Sequence, residues 1–114
     1  MTTTAETPDT NADQVKAAGA LLAILTAHPR LPAARVHLQP MPVPGTYEWA
    51  WGLYIALHDD LGGFEQWRQA LGLDLARVEH KHHATSAWLT VTGTHSGAPV
   101  GLFGFYTFDP DDER

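Results

Sequence analysis

Between Tyr47 and His58 nearly every large apolar side chain falls on one parity: Tyr47, Trp49, Trp51, Leu53, Ile55 and Leu57 alternate with Glu48, Ala50, Gly52, Tyr54, Ala56 and His58. A helix would scatter the first six around its axis, whereas a strand gathers them on one face. The second set is mostly small, which leaves the opposite face shallow and open to close approach. A strand of this kind must bury its heavy face against something else in the chain. With 114 residues, 44% of them hydrophobic, there is material for one domain and one core.

The covering elements are legible on either side. From Gln14 to His28, Val15, Ala18, Leu22 and Leu25 recur at helical spacing, with Leu21 and Ile24 widening the stripe. Asn11 or Asp13 can cap this helix, and Pro29 ends it near Ala27. A second, shorter helix is predicted near Gly63 to Leu71, with Phe64, Trp67 and Leu71 on one side and Gly72 as its C-terminal cap. Arg35 to Gln39 alternates as a strand that Pro40, Pro42 and Pro44 should stop or mark as an edge. Arg77 to Thr94 reads as one long bent strand, and Val100 to Phe108 as its hairpin partner across Ser96, Gly97 and Pro99. The expected fold is therefore α+β in the order α-β-β-α-β-β. A four-stranded antiparallel sheet would carry two helices on one face, since that arrangement buries both helices.

Charge divides the chain more sharply than its formal total of −6 suggests. Residues 1–13 carry Glu6, Asp9 and Asp13, and the last six residues carry Asp109, Asp111, Asp112 and Glu113 against Arg114. Each end thus holds −3 and the body between them is formally neutral. Polar, acidic and poor in large apolar groups, residues 1–13 and 109–114 are expected to be disordered tails on a single domain at 14–108. All seven histidines lie in that domain, so mild acidification turns a neutral body basic. There is no cysteine, hence neither a disulfide framework nor a thiolate metal cage. With no basic, apolar leader at Met1 to Asp13 and no apolar run of membrane-spanning length, a cytoplasmic protein is expected.

Few residues gather into recognisable chemistry. Glu79-His80-Lys81-His82-His83 places His80 and His82 on one strand face, the spacing of a two-imidazole metal chelate that needs a third ligand from elsewhere. His58-Asp59-Asp60 sets carboxylates beside an imidazole, but an aspartate here is better used as N-cap of the second helix. No nucleophile elbow, phosphate loop or dinucleotide fingerprint occurs, and no cofactor is implied. Trp49, Trp51 and Trp67 fall on predicted core faces. Trp88 has the parity of Thr90, opposite to Leu89 and Val91, and Phe103 and Phe105 oppose Leu102 and Tyr106. Trp88, Tyr54, Thr90, Phe103 and Phe105 are thereby assigned to the sheet face that the helices leave bare, and a second subunit, a partner or a chain terminus is expected to cover it.

The stretch from Leu53 to Phe108, with Trp67-Arg-Gln-Ala-Leu-Gly-Leu73 leading into a histidine-containing strand and a hairpin from Trp88-Leu-Thr-Val-Thr-Gly93 to Gly97-Ala-Pro-Val-Gly-Leu102, resembles small proteins of high-GC actinobacterial genomes and their phages and plasmids. The resemblance implies an accessory or regulatory role and assigns no ligand or site residue. Three functions follow as expectations. The first is a non-catalytic interaction or regulatory module, homodimeric through the bare sheet face and belonging to a phage or mobile element. The second is a divalent-metal-binding protein or small hydrolase on His80 and His82. The third is a nucleic-acid or anionic-ligand binder switched by histidine protonation.

Overall fold

A computed structural model describes residues 10–107; the segments 1–9 and 108–114, including most of the expected tails and Phe108, lie outside the described residues. The chain runs α1 (Asn11–Ala27), β1 (Arg35–Pro42), β2 (Trp49–His58), α2 (Leu61–Leu71), a short 3-10 turn (Leu75–Arg77), β3 (Glu79–His83), β4 (Ser86–His95) and β5 (Ala98–Thr107). The strands form one five-stranded sheet in the order β1-β2-β5-β4-β3. Among the described residues no helix is long and apolar enough to cross a membrane.

The expected four-stranded antiparallel sheet is corrected in two respects. The segment from Arg77 to Thr94 is not one bent strand but two, β3 and β4, joined by a two-residue turn at Ala84 and Thr85, with Ala84 at φ 57°. Neither residue is a usual turn former, so the reversal carries no compositional mark. The sheet is also mixed, because β5 lies parallel to β2, with Leu53 opposite Val100, Ile55 opposite Leu102 and Ala56 opposite Phe103. The remaining neighbours pair antiparallel. β5 lies at the centre of the sheet, flanked by a strand on each side, and is the most buried of the five.

Both helices pack on one face of the sheet. The core there joins Ala17, Ala20 and Ile24 of α1, Leu53, Ile55 and Leu57 of β2, Phe64, Trp67 and Leu71 of α2, Val91 of β4, and Val100 and Leu102 of β5. Gly104 has no side chain on this face, and Phe64 fills the gap: a Cβ at Gly104 would stand 2.9 Å from the Phe64 ring. The indole N–H of Trp67 donates to the Pro32 carbonyl at 2.8 Å, tying the proline-punctuated connector to α2 and satisfying a buried donor.

Local chemistry sets the element ends. α1 begins at Asn11, three residues earlier than expected, because Thr10 caps it. The Thr10 N–H and hydroxyl both donate to Asp13 Oδ2, at 3.1 and 2.8 Å, so Asn11–Asp13 belong to the helix and not to a tail. α2 starts at Leu61, where Asp60 Oδ1 accepts from the Gly63 N–H at 2.8 Å, and it ends at Gly72, left-handed at φ 68°. β1 continues through Pro40 and Pro42, which an edge strand tolerates on its unpaired side. Tyr47, expected in the second strand, lies in the preceding turn and is wholly exposed, and Trp49, expected in the core, remains 49% exposed. Trp51 packs against the core, though its buried indole N–H has no partner among the described residues.

α1 turns a different side inward than its largest side chains suggest. Ala17, Ala20 and Ile24 are buried, whereas Val15, Leu22 and Leu25 are at least half exposed. α1 is apolar nearly all round, so the pattern does not single out one face. The small alanines allow the closer approach to the sheet, and the bulky stripe is left outside.

Two predictions follow from this packing. An ideal Cβ on Gly52 would meet the Pro99 carbonyl oxygen and the Met41 sulfur well inside contact distance, and the carbonyl is fixed backbone in the sheet. Gly52→Ala is expected to lower stability by about 1–3 kcal/mol in chemical denaturation; an unchanged midpoint would contradict this packing. On α2, Arg68 Nε donates to Glu65 at 2.8 Å and the Gln69 amide donates at 3.0 Å. These bonds, that of Arg68 foremost, hold the Glu65 carboxyl down to about 2. A carboxylate depressed in this way stabilises the fold fully above its unfolded pKa of about 4.3, and the contribution disappears as pH falls through about 2. The difference in melting temperature between the wild type and Glu65→Gln should hold steady down to about pH 5 and close below it. A gap that does not narrow in acid would contradict the assignment.

Candidate interaction face

The face turned away from the helices carries the residues of the other parity: Arg35, His37, Gln39 and Met41 from β1, Gly52, Tyr54, Ala56 and His58 from β2, Gly101, Phe103 and Phe105 from β5, Trp88, Thr90 and Thr92 from β4, and Glu79, Lys81 and His83 from β3. Tyr54, Trp88, Thr90, Phe103 and Phe105, singled out from the sequence, thus share one surface. No described element covers it, and all five remain partly exposed.

The rings on this face are coupled. His37 stacks on Tyr54 with centroids 4.6 Å apart and planes 18° off parallel, and Tyr54 stacks on Phe103 at 4.6 Å and 25°. Phe103 lies 5.9 Å from Phe105 and nearly parallel to it, His58 stacks on Phe105 at 5.1 Å, and Trp88 leans against Phe105 at 6.1 Å. Small residues make this possible. Gly101 stands opposite Tyr54 and Ala56 opposite Phe103, so each large ring leans across an empty neighbour and reaches its diagonal partner. The gap over Gly101 is filled by the Phe103 ring and the Met41 methyl, each 3.0 Å from where a Cβ would stand.

Near-parallel rings at 4.6 Å are too close to lie side by side in one plane, so they overlap face to face and turn their rims outward. Burial among these neighbours raises the pKa of the Tyr54 hydroxyl. At one end of the row His37 Nε2 lies 2.9 Å from Gln39 Oε1, a bond that requires the ring to carry its proton on Nε2. The participation of His37 and His58 was not read from the sequence, although parity carried the signal: His37 alternates with Val36 and Leu38, and His58 shares the parity of Tyr54.

The other expected constellations come together less fully. His80 and His82 do share a face, on the helix side of the sheet beyond the helices, with ring centroids 6.2 Å apart. His80 Nε2 is hydrogen-bonded to the Tyr106 hydroxyl at 2.8 Å. Among the described residues no cluster of three or more histidine or carboxylate side chains is placed to hold a metal ion. Of the two aspartates after His58, Asp60 serves as the cap of α2, while Asp59 adopts a left-handed φ of 57° and its N–H donates to the Phe105 carbonyl at 2.7 Å.

The sheet's edges differ from its bare face. β1 presents Pro40 and Pro42 along its outer side, and β3 is five residues long, wholly exposed and polar, with Lys81 at its middle. Both devices discourage another strand from adding to the sheet. No protein-family model matches the chain, and no curated protein is significantly similar to it in sequence.

Proposed function

We propose that this chain is a non-catalytic interaction module that pairs with a second copy of itself through the bare sheet face. The observation that carries the reading is the uncovered row of coupled aromatic rings running from His37 across Tyr54, Phe103 and Phe105 to Trp88. Exposed apolar surface that is contiguous and ordered is uncommon on a monomer, and a twofold axis is the commonest way of closing it.

Dimensions favour this face over the other apolar surface. Five strands about 4.8 Å apart, three of ten residues, one of eight and one of five, rising about 3.3 Å per residue, make a face of roughly 700 Å². That approaches the roughly 800 Å² per partner of a standard interface. The exposed stripe on α1 spans only about 25 Å of helix, enough to seat one neighbouring helix. The blunted edges leave face-to-face stacking, at the roughly 10 Å spacing of packed sheets, as the open route.

The ring geometry also weighs against single-stranded nucleic acid as the occupant. Bases are held by stacking on exposed ring faces, and in this row most of those faces are occupied by the neighbouring ring. The metal-dependent alternative rests on the His80 and His82 pair alone.

Light scattering at micromolar concentration should give twice the chain mass of 12.5 kDa. Trp88→Glu would bury an unpaired carboxylate in the interface and is expected to return the protein to the monomer mass with its fold intact by circular dichroism. A wild-type mass of one chain at high concentration, or a Trp88→Glu variant that still pairs as well as the wild type, would overturn the reading.

A further inference from the structure

The ionisable groups on the bare face are unbalanced. β1 contributes Arg35 and His37, β2 contributes Tyr54 and His58, and β3 contributes Glu79, Lys81 and His83; β4 and β5 contribute none. Among the described strand residues the one carboxylate on this face, Glu79, is already engaged by Lys81 at 3.4 Å. Asp59 and Asp60 follow His58 at the rim, where Asp60 is committed to the α2 cap. With neutral imidazoles, Arg35 and Lys81 against Glu79 leave each face one net positive charge, and protonation of His37, His58 and His83 raises that to four.

We infer that the pairing of two such faces is controlled by pH, and that His37, His58 and His83 release the second copy when they become protonated. The inference rests on the proposed self-association through this face. Stacking two copies brings like faces together, so every proton taken up is matched by one on the partner and the cost falls on the interface. The same protons do little harm to the separate chain. His37 and His58 are solvent-exposed, and an imidazolium stacked on Tyr54 or Phe105 keeps a favourable cation–π contact. Acidification between about pH 7.5 and 5.5, the range in which histidine changes charge, therefore separates the subunits and leaves them folded.

Sedimentation velocity on the full chain at pH 7.5 and 5.5, at equal ionic strength and with circular dichroism on each sample, tests this. A dimer at pH 7.5 whose dissociation constant rises roughly tenfold or more at pH 5.5 is expected, with partial recovery on adding salt. The triple variant His37→Gln, His58→Gln, His83→Gln, which leaves His28, His80, His82 and His95 in place, should remain dimeric at both values. Equal dimerisation of the wild type at both pH values would overturn the switch and leave the dimer standing. A monomer at both would overturn the dimer and the switch together. Acid dissociation that persists in the triple variant, or loss of the folded signal at pH 5.5, would overturn the assignment to these three side chains.

Discussion

The parallel pairing of β2 with β5 is the interaction on which the rest of this structure depends. It sets Leu53 beside Val100 and Ile55 beside Leu102 on the side that α1 and α2 cover. Through the same hydrogen bonds it sets Tyr54 beside Gly101 and Ala56 beside Phe103 on the side they leave open. A slip of one residue would exchange the two sides of a strand, moving Ile55 into water and Tyr54 under a helix. Core and aromatic row are thus held by one register, and neither can be rebuilt without the other.

Burial and openness follow from where small residues fall. On the helix side, Gly104 makes room for Phe64, and Ala17 and Ala20 let α1 approach the sheet. On the open side, Gly101 and Ala56 make room for rings to lean into one another. The rings of the row pack against one another, an arrangement that would reduce the rotamer freedom lost to a partner. With proline on one edge strand and a short, polar strand at the other, both edges of the sheet discourage the addition of a further strand.

Much of this was legible in the sequence, and the failures have physical causes. Strict alternation from Trp49 to Leu57 identified β2 and its sides, and the opposed parity of Trp88, Phe103 and Phe105 assigned them to the helix-free face. Asp60 as a cap and Gly72 as a helix stop were local chemistry and were read as such. The β4–β5 hairpin was legible from its turn residues, but the order of strands in the sheet was not, because alternation fixes the side a residue faces but not the neighbour a strand chooses. The β3–β4 reversal passes through Ala84 and Thr85, which carry no turn signature. α1 misled because its apolar residues surround the helix, so the largest side chains were taken for the buried ones, whereas Val15, Leu22 and Leu25 point outward.

The proposed self-association has two candidate surfaces, the aromatic row and the outer stripe of α1. Aromatic and methyl chemical shifts followed by NMR over a dilution series at neutral pH distinguish them directly. If the bare sheet face is the interface, the ring signals of Tyr54, Trp88, Phe103 and Phe105 move with concentration while the methyl signals of Val15, Leu22 and Leu25 stay fixed. Shifts confined to the α1 methyl groups, or no concentration dependence anywhere, would contradict the account.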